Sequence, residues 1–474
     1  MTDMTLVLRS MRTRLLSTII TILSVALAVA LVLVLLTLRE SGKKTFERGT
    51  GDMHILVSAD ASPLSSVLNS VFYANTPQRP IPFAKFQQIR ESAPWSYAIP
   101  TAFGDSWRGS PVVGTTAEFF TSFQPAPGTS FSLRSGRFFG VVDPLVVEAA
   151  AGDAAKLASV KPSDFEVVVG ASIASKANLK LGDTLFITHG FSRRSGEIAG
   201  DLVRAGGRLP VADDHDHDHE GGAAHVHFDY GFRVVGILDA TATPHDRAVF
   251  IPLQGAWIMH AQDRLEKNKI TPAQGSVASD ADLIESDKLV TSIYTRLMTR
   301  AGSDTPANLQ AVFDQLRRDP TITVAQPAQQ IGQLFVIVDN VNKLFLAMAI
   351  VVMLSSGVGI LLALYNSMHE RRRQVAILRV LGATKSRVLN LVLVESAMLG
   401  LAGGALGVVL ALGGAWLSSG VLRTRLGLVL SPSLDARVIV IVVASAVVLA
   451  CIAGTLPALM AYRVAVAKNL KPVG

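Results

Sequence analysis

Leu15-Leu-Ser-Thr-Ile-Ile-Thr-Ile-Leu-Ser-Val-Ala-Leu-Ala-Val-Ala-Leu-Val-Leu-Val-Leu-Leu-Thr-Leu38 runs for 24 residues without a charged side chain. As a helix rising ~1.5 Å per residue it is long enough to cross a hydrocarbon core of ~30 Å. The run is too long for the apolar part of a secretory signal, and no small-x-small cleavage site follows it, so it reads as an uncleaved anchor. Three more apolar stretches come near the other end, at roughly Val341–Met368, Val388–Leu417 and Val438–Ala461. The chain therefore reads as an integral membrane protein of four transmembrane helices with a large α+β extracytoplasmic domain between helices 1 and 2. The expected divisions are a cytoplasmic amphipathic helix 1–14, spans at 15–38, 336–368 (with a helical stalk), 388–417 and 438–461, the external domain 39–335, a cytoplasmic coupling loop 369–387, a short external loop 418–437 and a cytoplasmic tail 462–474. Mean hydropathy of +0.39 with 17% charged residues fits that mixture.

The formal net charge is +7, yet its distribution argues against a nucleic-acid partner. Twelve of the 44 Lys and Arg fall in the short segments 1–14, 369–390 and 462–474, where Asp3 and Glu370 are the only acids. The rest of the chain holds slightly more acid than base. Cations concentrated in short loops mark the cytoplasmic side, which places both termini inside and 39–335 outside the membrane. The one cysteine, Cys451, lies in the fourth span, so no intrachain disulfide supports the external domain.

Within that domain, Glu166–Val169, Thr184–Thr188, Phe232–Leu238, Ala248–Ile251 and Thr321–Val324 have strand composition and turn-forming flanks. Leu309, Val312, Phe313 and Leu316 mark one helix face, with Asp304 as the expected cap and Pro306 in the first turn. Residues 59–144, rich in Pro, Ser and Phe, resist assignment by pattern. From Pro327 to about Arg373 the sequence is compatible with one long helix that leads into the second span.

Between Asp213 and His227 five histidines, His215, His217, His219, His225 and His227, alternate with carboxylates. Imidazole with nearby carboxylate suits Zn²⁺, Cu²⁺ or Ni²⁺, and the Gly221-Gly222 pair suggests an ion-collecting loop rather than a rigid four-ligand site. A solvated polar loop between strands is the plainer reading. His189 and His245 join the cluster only if the fold brings them near.

No stretch matches the phosphate-binding pattern G-x-x-x-x-G-K-[ST], and Gly170-Ala-Ser172-Ile-Ala174 lacks the second glycine of a nucleophile elbow. Glu395, the acid in the third span, has no partner visible in sequence for a proton path and reads as structural. Gly400/Gly404 and Gly403/Gly407 form two overlapping G-x-x-x-G pairs, which suit close helix approach within the chain or at a dimer seam. The chain reads as non-catalytic.

The segment after the second span is His369-Glu-Arg-Arg-Arg-Gln-Val-Ala-Ile-Leu-Arg-Val-Leu-Gly-Ala-Thr-Lys385, and the third span continues Leu393-Val-Glu-Ser-Ala-Met-Leu-Gly-Leu-Ala-Gly-Gly-Ala-Leu-Gly407. This resembles the MacB/FtsX superfamily of ABC transporter permeases, with Gln374 where that family has an acid. Leu8–Thr18, Val169–Ala174 with Leu179–Asp183, Phe232–Leu238 with Val249–Leu253, and Leu456–Arg463 resemble family motifs in the same order. The resemblance implies a homodimer of permeases with two copies of a separate ABC ATPase, which carries ATP and Mg²⁺ while the permease has no cofactor of its own. It also implies mechanotransmission, in which ATP-driven closure of the spans moves the external domain for export or extraction of a periplasmic or membrane substrate. Glu370, Arg371, Arg372, Arg373, Val375, Ala376, Ile377, Leu378, Arg379 and Gly382 are then the expected ATPase-coupling residues. Val375–Leu378 are expected to form a short helix parallel to the membrane whose apolar cluster enters a groove of the ATPase. Zn²⁺ at the histidine loop, a periplasmic metal-binding protein or lipoprotein, and membrane lipids are further expected partners. The alternative reading is a metal-sensing transmembrane regulator that switches a partner without transport. A third is a permease of the cell-division type that activates a wall hydrolase.

Overall fold

The computed structural model describes residues 3–140, 165–188, 229–273, 277–300, 302–380, 382–426 and 435–462. In chain order the elements begin with α1 (Asp3–Thr13), α2 (Leu15–Gly49), β1 (Ile55–Ser58), α3 (Pro63–Ser70), β2 (Ile81–Pro82), α4 (Phe83–Glu91), β3 (Trp95–Trp107) and β4 (Ser110–Thr115). There follow α5 (Glu118–Thr121), β5 (Leu133–Gly136), β6 (Glu166–Val169), α6 (Ala171–Ala177), β7 (Thr184–Leu185), β8 (Phe232–Leu238), β9 (Val249–Pro252) and α7 (Leu253–Lys267). The last are β10 (Leu289–Val290), β11 (Ser292–Leu297), α8 (Leu309–Arg317), β12 (Thr323–Ala325), α9 (Pro327–Val380), α10 (Lys385–Leu426) and α11 (Ala436–Tyr462). The chain divides into two compact units, one holding Met1–Lys44 with Phe335–Leu426 and the C-terminal helix, the other Thr45–Leu334.

Among the described residues four helices are long and apolar enough to cross a membrane: α2, the Pro327–Met368 part of α9, the Lys385–Leu417 part of α10, and α11. The membrane unit inverts the pattern of a soluble bundle. Leu16, Leu27, Leu344, Val351 and Val440 are exposed, while Ala26, Ala28, Ala349, Ala411 and Ala450 are buried. Many large apolar side chains face outward, and small ones, with a few buried large residues such as Leu33, Ile360 and Leu364, line the places where the helices meet.

The other unit is built on a mixed sheet in the order β12-β1-β11-β3-β4-β9-β6-β8-β5, with β7 added to β8. Most neighbours are antiparallel; β4 with β9 and β6 with β8 are parallel. Val167-Val-Val169 and Val249-Phe-Ile251 are buried along their whole length, as continuous apolar strands covered on both faces must be. Ile55, Val57, Phe86, Ile293, Leu316 and Val324 form one core, and Val167, Ile173, Phe232, Val249, Ile258 and Met259 form another. The strands expected at 166–169 and 232–238 form as read. The one expected at 184–188 stops at Leu185, and Thr188 makes only a lone bridge to Ser106.

Three expectations are corrected. α8 starts after Asn308, so Pro306 lies outside it, and Asp304 lends its carbonyl to His54 Nε2 at 2.9 Å instead of capping. Residues 369–380 are not a separate short helix but the last turns of α9, which is 54 residues long. The third membrane helix continues to Leu426, so 418–426, expected in a loop, are helical.

Candidate functional site

The reversal between α9 and α10 is short because of two local devices. Gly382 adopts φ +97, a left-handed conformation glycine accepts without strain. Thr384 Oγ1 then accepts the backbone N–H of Arg387 at 3.2 Å, capping α10. Lys385 lies 5.4 Å from the Tyr462 ring centroid, pinning the start of α10 to the end of α11 by a cation–π contact.

The apolar cluster expected to enter an ATPase groove is divided. Val375 and Ala376 are buried inside the chain, Val375 in a cluster with Met368, Val388, Val392, Ala458 and Ala461. Helical periodicity separates them from Ile377, which is 44% exposed, and from the half-buried Arg379. The side chains of Glu370, Arg371, Arg372, Arg373 and Leu378 lie outside the described set.

The four glycines of the third span serve two different neighbours. A Cβ on Gly400 would lie 2.8 Å from Ala450 Cβ, and one on Gly404 2.9 Å from Val443 Cγ1, both on α11. A Cβ on Gly403 would lie 2.6 Å from Val25 Cβ, and one on Gly407 2.8 Å from the Ala26 carbonyl, both on α2. Each G-x-x-x-G pair is thus a seam within this chain, and α10 is gripped from two sides. Glu395 is half-buried beside this packing, and Ser396 is fully buried under Gly454.

Two ties between α2 and α9 went unread in the sequence. Ser24 Oγ and Ser356 Oγ meet at 2.9 Å, and Ser356 also donates to the Ser24 carbonyl at 3.1 Å. Arg39 grips Asp339 with two bonds of 2.7 and 2.8 Å. The signal was available: Asp339 is the only acid between Leu334 and Met368, and an acid in such a run needs a partner.

His215, His217, His219, His225, His227 and His189 lie outside the described residues. Among the described residues no three His, Cys, Asp or Glu side chains are gathered to hold a metal. His245 is instead sealed in an aromatic cage. Its Nδ1 is 2.8 Å from the Tyr73 hydroxyl, and the rings of Phe119, Phe123 and Phe131 stand edge-on to it with centroids at 5.5, 5.6 and 6.0 Å. Complete burial pushes its pKa down to about 3, so it is a neutral core residue. Asp246 beside it accepts from Thr241 N, Thr241 Oγ1 and Ala242 N, each at 2.8 Å. Gly170 explains the neighbouring motif. Its absent Cβ would lie 2.5 Å from the Asp246 carbonyl, so the glycine seats the 244–247 turn.

These features define a multi-pass membrane protein with a mixed α/β domain between its first and second spans. The family description "MacB-like periplasmic core domain" matches residues 18–318, and "FtsX-like permease C-terminal" matches 346–466. The chain belongs to the MacB/FtsX family of ABC transporter permeases. It is similar to the periplasmic region of MacB from Actinobacillus actinomycetemcomitans at 12% identity and TM-score 0.29, covering 61% of this chain and 94% of that one. It is also similar to the extracellular domain of YknZ, a noncanonic ABC-type transporter from Gram-positive bacteria, at 6% identity and TM-score 0.24, covering 57% and 98%. No curated protein matches the chain.

Proposed function

We propose that this chain is the permease subunit that couples ATP hydrolysis on a separate ABC ATPase to movement of its external domain. The work done is export or extraction of a periplasmic or membrane substrate across or from a bacterial inner membrane. Both termini are cytoplasmic, two copies of the permease meet two copies of the ATPase, and the ATP and Mg²⁺ belong to the partner. The observation that carries this reading is α9. One unbroken helix starts two residues after the edge strand β12 and ends at the basic segment 369–380, about 80 Å of continuous lever at ~1.5 Å per residue. Among the described residues of the expected coupling segment, Ile377 and Gly382 are exposed and Arg379 is half-buried.

The test uses the full-length chain purified from its own membrane in mild detergent. An ABC ATPase is expected to copurify, with ATP hydrolysis that the permease stimulates. Inserting three glycines between Ala347 and Met348 interrupts the lever while sparing the coupling turn. The insertion variant is expected to keep the ATPase bound and to lose the nucleotide-dependent change in proteolysis of the external domain. An insertion that leaves that response intact overturns the lever, and a chain that binds no ATPase overturns the permease role. Zinc at His215–His227 belongs to the same proposal as a modulator; it rests on the five histidines in the sequence, and zinc added to the complex should alter the hydrolysis rate only when that loop is present.

A further inference from the structure

Beside the edge strand that leads into α9, a carboxylate is buried with no cation to meet it. Asp60, just past β1, is 1% exposed. Its Oδ1 accepts the Asn69 amide at 3.3 Å and the backbone N–H of Gln78 at 3.2 Å. Its other oxygen, Oδ2, is sealed from solvent and has no hydrogen-bond partner among the described residues. Arg79 spends its Nε on the Ala59 carbonyl at 3.3 Å, and no ion pair to Asp60 forms among the described residues.

Neither protonation state satisfies this oxygen from within the described protein. A buried carboxylate without a counter-charge is costly, which is why such groups are paired or bind metal. Protonated, Oδ2 becomes a donor that needs an acceptor, and none is in reach. The surrounding hydroxyl protons are committed elsewhere. Ser58 Oγ donates to Ser66 Oγ at 2.7 Å, Ser66 Oγ to the Ser62 carbonyl at 3.0 Å, and Thr323 Oγ1 to the Asp60 carbonyl at 2.5 Å. A water molecule satisfies a hydrogen bond there and leaves the charge; a cation meets both demands. Asn69 Oδ1, on the amide that already touches Asp60, is a second oxygen that no described residue engages. Gln78 belongs to the segment 74–80, which is exposed except for the half-buried Pro77, so the way in for an ion is short.

We propose that Asp60 Oδ2, with Asn69 Oδ1, holds a hard cation of the calcium class. Oxygen donors alone suit such an ion rather than zinc. A single carboxylate makes the site weak, in the roughly millimolar range of extracellular modules. The ion fastens the turn after β1 to α3, while the Asp60 carbonyl fastens the same turn to Thr323 of β12, which ends two residues before α9 begins. The cation therefore braces the sheet edge that feeds α9. Neither the partner ATPase nor the histidine loop enters this assignment.

Calcium alone is the probe, with the full-length chain in detergent. Unfolding followed by tryptophan fluorescence is expected to move up by about 3 °C between chelator and ~10 mM Ca²⁺, the shift due to a site of roughly millimolar affinity. Asp60→Asn keeps an oxygen for Asn69 and Gln78 and abolishes the shift, whereas Glu91→Gln, at an exposed position of α4, retains it. Equilibrium dialysis should find one calcium fewer on Asp60→Asn than on the parent. Asn69→Asp adds a second carboxylate and should bind calcium roughly tenfold more tightly, a sign opposite to that of general damage. A parent indifferent to calcium overturns the proposal. So does an Asp60→Asn variant that responds and binds as the parent does, which would assign the ion to carboxylates elsewhere. Calcium binding weakened in Asn69→Asp overturns the place of Asn69 in the site.

Discussion

The two units of this chain pack by opposite rules. In the sheet-based unit the largest side chains are the most buried: Tyr73, Tyr294, Phe119, Phe123, Phe139, Phe232 and Phe250 are all under 2% exposed. In the membrane unit many large residues are outermost, with Leu16 at 76% and Trp416 at 77%, and glycine and alanine line much of the seams beside a few buried large residues such as Leu33 and Ile360. The difference follows from the solvent. Water drives apolar area inward, so big aromatics stabilise a core in proportion to the area they hide. Lipid exerts no such drive, and helices are held by close backbone approach and by a few polar ties. A substitution that adds bulk should therefore damage the membrane unit most where a glycine seam exists, and polar losses should matter most in the aromatic core.

The largest expected effect is at Gly407. Leucine there would place its Cβ 2.7 Å from Val29 Cβ and 2.8 Å from the Ala26 carbonyl, and the obstacle is backbone that cannot rotate away. Overpacking of this kind costs about 3 kcal/mol. Gly413→Leu is the control, because a Cβ there meets nothing within 4 Å. Thermal unfolding of the full-length chain in detergent should show Gly407→Leu strongly destabilised and Gly413→Leu close to the parent. Equal tolerance of both would remove the seam, and the contrast between the units with it.

The second effect is in the aromatic cage and is read by pH. An unfolded histidine takes up its proton near pH 6.5, whereas His245 does so only at about 3 in the folded chain. The unfolded state therefore binds more protons between these values, and stability falls as pH drops below 6.5. From pH 6.5 to pH 5 the loss is about 2 kcal/mol, at ~1.4 kcal/mol per pH unit. His54, also pushed down by burial, adds in the same direction, while Asp246, pushed up, opposes it. For that reason the comparison is between parent and His245→Phe, which keeps the ring packing and removes the titration. Unfolding followed by fluorescence of Trp95, Trp107 and Trp257 should show a shallower acid loss in the variant. Identical pH profiles would mean that the imidazole is not sealed from water.

How far this could be read from the sequence divides along the same line. Leu15–Leu38 and its three successors announce themselves, because a bilayer demands a long uncharged run and the demand is local. The strand at 166–169 was legible as a continuous run covered on both faces, and that at 232–238 by its β-branched and aromatic residues despite the exposed Arg233. β3, at 13 residues the longest strand among the described residues, was invisible. It contains Pro100 and Gly104, which read as breakers, whereas Pro100 keeps its place opposite Ile293 and the register shift between Phe103 and Asp105 absorbs Gly104 as a bulge. Long-range pairing such as Ile99 with Tyr294 has no local signature. The coupling segment was readable as a motif but not as a shape: nothing in Val375–Leu378 tells that Val375 is claimed by α10 and α11 and that Ala376 is buried. The glycine pairs were visible, and which helices they meet was not.

The smallest expected effect sharpens the comparison from the polar side. Ser24 and Ser356 exchange a hydroxyl contact at 2.9 Å between two helices in the apolar part of the membrane unit. An intuition from low dielectric would rate such a bond highly. The unfolded reference inside a membrane also satisfies its hydroxyls, here through the carbonyl one turn back, as Ser356 already does with Val352 at 3.0 Å. Ser356→Ala should consequently cost only about 0.6 kcal/mol, the typical worth of an interhelical bond in lipid. A double-mutant cycle with Ser24→Ala in the full-length chain isolates the pair, and a coupling of several kcal/mol would show that polar ties, rather than glycine-mediated approach, hold α2 to α9.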